Sequence, residues 1–144
     1  MRLPLAAALA ALALVPSTAS ADAGAGVVAM AAHSFFRPGV GLVAAGACAY
    51  TGTILTGAAT AVAVPSGTPR SVHVHCDLLN ASGGVIGQVD ASGGVYALES
   101  QLVQSTQTPV RVCGRVTAYH PTWIHPAVSG DTCAPVLPGN VAVG

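Results

Sequence analysis

The chain has 144 residues, of which 52% are hydrophobic and only 7% are charged, and its formal net charge is zero. This length predicts a single domain, and a chain without a basic patch is not expected to bind nucleic acid, whose phosphates such a patch would neutralise. After the first fifteen residues, no apolar run approaches the roughly 20 residues that a membrane-spanning helix requires.

The N-terminal segment has the parts of a signal peptide. Arg2 supplies one positive charge, and an apolar run follows over residues 3–15. Pro16 ends this run, and the small residues Ala19 and Ala21 match the cleavage pattern of signal peptidase. The segment is therefore predicted to direct export.

Cleavage divides the chain into two parts. Residues 1–21 are the predicted signal peptide, and residues 22–144 are the predicted mature domain. The first cleavage point precedes Asp22, and an alternative two residues later precedes Gly24. The absence of lysine and the high alanine content are typical of a bacterial protein from a GC-rich genome.

The first half of the mature domain has several strand patterns. Residues 27–30 are a short edge-strand candidate, and residues 48–55 and 58–64 are predicted strands with a turn at positions 56 and 57 between them. Residues 42–47 are rich in alanine, but glycines interrupt any helix there.

The clearest strand pattern covers residues 71–79. One face carries apolar residues and Cys76, and the other carries Ser71, His73, His75 and Asp77. This alternation with a period of two is typical of a strand with one face in a core and one in solvent. Cys76 is therefore predicted to point inward.

Further strands are predicted over residues 85–89, 95–101 and 109–119. The string ASGGV occurs twice, at residues 81–85 and 91–95, and predicts two successive hairpin turns. Strict alternation in the last strand places Cys113 on the outer face, whereas a β-bulge at Gly114 would reverse this; the sequence leaves both open.

Together these patterns predict an all-β protein: a small antiparallel β-sandwich, with an immunoglobulin-like arrangement as the first choice. Two disulfides would stabilise it, a signal-peptide helix would precede it, and a proline-rich segment would end it. Four cysteines in an exported chain predict two bonds, and three pairings are possible. We favour the two that close local loops, namely Cys48–Cys76 and Cys113–Cys133.

Two groups of residues are candidate sites. His73 and His75 project to the same side of a strand and could ligate zinc or copper, the alternative being a solvated sheet face. The second group is a predicted binding loop, in which an alternative is that the tryptophan closes one end of the sandwich; its residues are Tyr119, His120, Trp123 and His125.

The sequence contains no catalytic motif and predicts no enzyme activity and no cofactor. The predicted function is that of a secreted binding or structural module, which would act on an unknown protein or cell-surface ligand. One alternative is a secreted inhibitor of an extracellular enzyme. Another is extracytoplasmic binding of zinc or copper through His73 and His75.

Overall fold

A computed structural model describes residues 24–33, 41–62 and 68–138 of the chain. The predicted signal peptide, residues 1–21, lies outside the described residues. The described part contains strands only, and within it no helix has the length and hydropathy that a membrane crossing would require. The strands are β1 Ala25–His33, β2 Leu42–Thr51, β3 Ile54–Ala61, β4 Ser71–Leu79, β5 Val85–Gly93, β6 Tyr96–Leu102, β7 Arg111–Tyr119, β8 Ala127–Val128 and β9 Thr132–Pro135.

The strands form two antiparallel sheets whose inner faces share one apolar core. Sheet A has the order β1-β2-β3-β6, and sheet B has the order β5-β4-β7-β8, with β9 also paired to β7. The predicted all-β sandwich is confirmed. Its strand order differs from the A-B-E-D and C-F-G sheets of an immunoglobulin constant domain, because three consecutive strands, β1 to β3, stay in one sheet.

Sheet B follows the predicted alternation. In β4, Val72, Val74, Cys76 and Leu78 are buried, while the side chains between them lie on the outer face. The bounds of β4 agree with the sequence prediction, because apolar and polar residues alternate there without interruption. Strand β7 has the same pattern, so this sheet has an apolar inner face and a polar outer face.

Sheet A departs from the predicted boundaries. Strand β2 includes residues 42–47, for which no strand was predicted, and the β2–β3 turn lies at Gly52 rather than at positions 56 and 57. Gly52 has a φ of 88°, a conformation that glycine adopts without steric cost. The prediction was wrong because these strands consist of small residues on both faces and show no alternation.

The two ASGGV strings fold differently. In the first, Asn80 Oδ1 accepts hydrogen bonds from the backbone N–H groups of Ser82 and Gly84, which closes the β4–β5 hairpin. The second does not form a hairpin, because residues 91–93 belong to β5 and the chain then crosses to β6 in the other sheet. Asp90, which stands where Asn80 stands in the first copy, turns its side chain to the sheet face instead.

A disulfide between Cys48 and Cys76 joins the sheets through the core. Both cysteines are fully buried, and their Cα atoms are 5.8 Å apart. Gly57 lies opposite Cys48 in sheet A, and Gly114 lies opposite Cys76 in sheet B. A Cβ atom on Gly57 would lie 2.9 Å from the Cys76 sulfur, and one on Gly114 would collide with the Cys48 sulfur. The sheets therefore approach closely at this bond because each provides a glycine.

The second disulfide joins neighbouring strands on the outer face of sheet B. Cys113 in β7 and Cys133 in β9 are directly paired residues. The register between β7 and β4 is continuous, so no bulge occurs at Gly114 and strict alternation holds. Both favoured disulfide pairings are confirmed.

We expect Gly114→Ala to lower the free energy of unfolding by about 1–3 kcal/mol, as overpacking of a core does, because the new methyl group would displace the Cys48 sulfur. The control is Gly94→Ala, whose Cβ would meet only the Arg70 carbonyl oxygen, at 3.8 Å. Urea unfolding of both variants tests whether the two sheets approach closely at the Cys48–Cys76 disulfide. A Gly114→Ala variant as stable as the wild type would contradict this.

Candidate functional site

The outer face of sheet B carries a cluster of ionisable side chains, here called the histidine row: His73, His75 and Asp77 on β4, and Asp90 on β5. Strand alternation places the three β4 residues on one side. His75 lies directly opposite Asp90 across the antiparallel pair, and His73 lies opposite Ser92. The row is therefore assembled by the register of two neighbouring strands.

Hydrogen bonds connect all four members of the histidine row. Asp90 Oδ1 lies 3.0 Å from His73 Nε2 and 2.8 Å from His75 Nδ1. The other nitrogen of His75, Nε2, lies 2.9 Å from Asp77 Oδ1. A neutral imidazole has only one N–H donor, so a His75 ring that donates to both carboxylates is protonated.

The pKa values of this pair move apart. Partial burial alone would lower the pKa of His75, but the hydrogen bonds and charges of Asp90 and Asp77 outweigh it and raise that pKa above 6.5. Burial alone would raise the pKa of Asp90, but its contacts with His75 and His73 lower it below 3.8. The charged pair is therefore the stable form between these two values.

The ring nitrogens of the histidine row, which were predicted as metal ligands, are engaged with carboxylates. Its ring nitrogens lie at hydrogen-bond distance from carboxylate oxygens, whereas a zinc ligand would need an unprotonated nitrogen about 2.0–2.1 Å from the metal. Within residues 24–33, 41–62 and 68–138, no group of three or more His, Cys, Asp or Glu side chains is placed to hold a metal ion. Zinc or copper binding by His73 and His75 stays a prediction.

The predicted binding loop, residues 119–125, begins at the last residue of β7, leads toward β8 and is held in shape by its own hydrogen bonds. His120 Nδ1 accepts from the Thr122 backbone N–H at 3.1 Å and lies 2.8 Å from the Thr122 hydroxyl. The backbone N–H of Trp123 donates to the His120 carbonyl oxygen at 2.9 Å. The rings of His120 and Trp123 lie 5.9 Å apart at an angle of 38°.

The side chains of the binding loop divide into anchored and exposed ones. Trp123 is partly buried and packs against the core, as the alternative interpretation expected. Tyr119 and His125 lie at the surface. Ile124, which the sequence did not single out, is 78% exposed, more than any other large apolar residue in the described part of the chain.

A pocket of about 370 Å³ opens beside the β2–β3 turn, where Tyr50 and Thr108 contribute to its lining. The Tyr50 hydroxyl donates to the Gly52 carbonyl oxygen at 2.7 Å, and burial raises the pKa of this tyrosine. The tyrosine hydroxyl is therefore already engaged within the chain.

Comparison with known proteins provides no family. No protein-family model matches the chain, and no curated protein matches it. Among solved structures, the chain is similar to a Bacteroides fragilis protein provisionally described as a beta-galactosidase, with 9% sequence identity and a TM-score of 0.35. The match covers 74% of this chain but only 15% of the other, a similarity too distant to support an argument about function.

The sequence identified both histidines of the row but not the carboxylate that connects them. Asp90 directly precedes the second ASGGV string, which was predicted to form a hairpin turn. The hairpin alone would not have identified it: the Leu79–Val85 pair beside the turn, continued without interruption, places position 89 opposite His75, and the register shift between Leu78 and Leu79 brings Asp90 there instead. Ile124 carried no comparable signal, because exposure of one apolar loop residue depends on how the neighbouring tryptophan packs.

We expect the domain to lose the stabilisation that the His75–Asp90 pair provides when the pH becomes alkaline. Because the folded-state pKa of His75 is raised, its contribution is complete below about pH 6.5 and disappears as the pH rises through the raised value. Because the pKa of Asp90 is lowered, the same contribution is present above 3.8 and is lost as the pH falls through the lowered value. For side chains that are 23% and 54% exposed, it amounts to at most about 1 kcal/mol.

Thermal unfolding at pH 5.5 and 8.5 measures this contribution. His75→Gln should reduce the difference in unfolding temperature between pH 5.5 and pH 8.5. His33→Gln, outside the histidine row, should leave that difference unchanged. A His75→Gln variant with the pH dependence of the wild type would show that the pair contributes nothing.

Proposed function

We propose that the mature domain is an exported, non-enzymatic module that binds a protein partner through residues 119–125. The observation that carries this proposal is the exposure of Ile124 on a loop that internal hydrogen bonds hold in one shape. A large apolar side chain that is 78% exposed loses water contact when it enters a pocket on a partner, which favours binding.

The rigidity of the binding loop supports the same proposal. Binding is weakened by the entropy that is lost when a loop becomes ordered, and a loop that is already ordered avoids most of this loss. Pro121 and Pro126 fix the backbone φ angle on either side of Ile124, and Trp123 ties the loop to the core. The exposed side chain is thus presented from a fixed base.

The compartment of the protein is consistent with such a role. Two disulfides and no free cysteine among the described residues indicate an oxidising environment, extracellular or periplasmic. With the signal peptide predicted over residues 1–21, we propose that the mature domain is secreted and meets its partner outside the cell.

A more specific form of this proposal is a secreted inhibitor. In this form the preordered loop places its exposed apolar side chain in the cleft of an enzyme with little loss of entropy, and the partner is an extracellular hydrolase. The general and the specific forms share the same contact residue and differ only in the class of partner.

We expect Ile124→Asp to weaken capture of the partner at least about tenfold, because a charge would replace the apolar contact. The protein is immobilised and exposed to the extracellular fraction of its own culture, and captured proteins are quantified by mass spectrometry. The control is Val85→Asp, a second exposed apolar position, at the start of β5. A partner retained equally by Ile124→Asp would exclude the loop as its binding site.

A panel of extracellular hydrolases, assayed with micromolar protein, separates the two forms of the proposal. Inhibition that Ile124→Asp abolishes supports the inhibitor form. No inhibition of any enzyme, together with capture that depends on Ile124, supports a binding module of another kind. If the wild-type domain neither captures a protein nor inhibits an enzyme, the proposal is wrong.

A further inference from the structure

The two disulfides differ in their access to solvent. Cys48 and Cys76 are fully buried between the sheets, so a dissolved thiol reaches their sulfurs only when the domain opens. Cys133 is exposed and Cys113 is partly buried, and both lie on the outer face of sheet B. A thiolate must contact a sulfur atom in order to exchange with it. In the folded domain, therefore, the outer bond is open to exchange and the buried bond is not.

A cavity of about 270 Å³ opens beside the outer disulfide. Its volume lies just below the ~300–1,000 Å³ of sites that hold drug-sized ligands, which suits a smaller molecule. Both cysteines of the outer bond belong to its lining. The same lining includes four ionisable side chains from β4, β7 and the turn before β9, namely His75, Asp77, Arg115 and Asp131.

The two basic side chains of this cavity differ in their contacts. They face each other across the sheet, since His75 on β4 is paired with Arg115 on β7. The ring of His75 contacts Asp77 and Asp90 at 2.9 Å and 2.8 Å, so its charge is balanced within the histidine row. Arg115 Nη1 lies 3.8 Å from Asp131 Oδ1, which is longer than a hydrogen bond, and this arginine is 47% exposed. Arg115 is therefore the better placed of the two to turn toward an anionic group that enters the cavity.

We propose that the Cys113–Cys133 bond is a thiol-exchange site for low-molecular-weight thiols that carry a carboxylate. The thiol loses its proton to water, and its sulfur attacks the exposed Cys133 Sγ and forms a new S–S bond there. The electron pair of the Cys113–Cys133 bond leaves on Cys113 Sγ, which takes up a proton from water. One disulfide thus replaces another without net oxidation. The carboxylate of the attached thiol pairs with the Arg115 guanidinium.

Strand β9 stays in place when the outer bond opens, because backbone hydrogen bonds also hold it. It pairs with β7 over four residues. Directly after it, the Val136 N–H donates to the Val110 carbonyl oxygen at 2.9 Å, and Ala25 and Leu137 exchange two hydrogen bonds of 2.9 Å and 2.7 Å. The buried disulfide is untouched by the exchange. The product is therefore a folded domain that carries the small thiol on its surface.

Reduction of the wild-type protein under native conditions tests the difference in access. The protein is treated with millimolar dithiothreitol, free thiols are alkylated, and the alkylated positions are mapped by mass spectrometry. We expect alkylation of Cys113 and Cys133 while Cys48 and Cys76 stay bonded and the circular dichroism of the folded domain is retained. An outer bond that opens only when the domain unfolds would overturn the proposal, as would a buried bond that opens equally fast.

The Cys113→Ser variant tests recognition of the carboxylate. Without the Cys113 thiol, a mixed disulfide on Cys133 cannot close back to the original bond and accumulates. The equilibrium constant for its formation is measured by intact mass with two small thiols and their symmetrical disulfides. Mercaptoacetate carries a carboxylate, and cysteamine carries an ammonium group. We expect the constant for mercaptoacetate to be the larger of the two, because Arg115 attracts the first and repels the second.

Adding Arg115→Gln to this variant should lower the ratio of the two constants about threefold, the size of effect expected from one exposed ion pair. Using the ratio removes the intrinsic difference between the two thiols. The matched control is Arg70→Gln, which removes the same charge from an exposed position just before β4 and should leave the ratio unchanged. A ratio that Arg115→Gln does not change, or that Arg70→Gln lowers equally, would overturn the assignment. Neither measurement involves Ile124, so thiol exchange and the proposed partner binding are tested separately.

Discussion

The fold depends on the close approach of two sheets at the Cys48–Cys76 disulfide. This bond crosses a core made mainly of alanine, valine and leucine, in which the largest fully buried side chains are Leu55 and Leu78. Side chains this small cannot fill a wide gap between sheets, so the sheets must lie close together, and Gly57 and Gly114 make room for the sulfurs. The disulfide and the glycines thus compensate for a core of small side chains, in which Tyr50 is the only buried aromatic residue of the described part.

The same use of small side chains produces two sheets with different outer faces. In sheet B, polar residues alternate with core residues, and its outer face carries a hydrogen-bonded ionic cluster centred on Asp90 and His75. In sheet A, β2 and β3 have small apolar or hydroxyl side chains on both sides. The binding loop follows the end of β7, a strand of sheet B.

The sequence predicted the parts of the fold in which the two faces of a strand differ. Strand β4 was placed correctly because valines alternate with histidines, and that placement led to the inward position of Cys76. Both disulfides were predicted from the short loops that they close. Strands β2 and β3 were misplaced because alanine, glycine and threonine fit either face and give no phase. Asp90 was missed because ASGGV is typical of a turn, whereas pairing with β4 decided its conformation. A side chain's cross-strand partner depends on register, which a single strand's pattern does not contain.

We attribute the joining of the two sheets to the Cys48–Cys76 bond and not merely to the presence of two disulfides. The most direct measurement compares urea unfolding of the double variants Cys48→Ala/Cys76→Ala and Cys113→Ala/Cys133→Ala. With sequence separations of 28 and 20 residues, loss of chain constraint should destabilise each by a similar amount, about 3 kcal/mol. The buried pair should lose about 1–2 kcal/mol more, or fail to fold, because its removal also leaves a cavity between the sheets. Equal losses, or a larger loss for Cys113 and Cys133, would contradict this account.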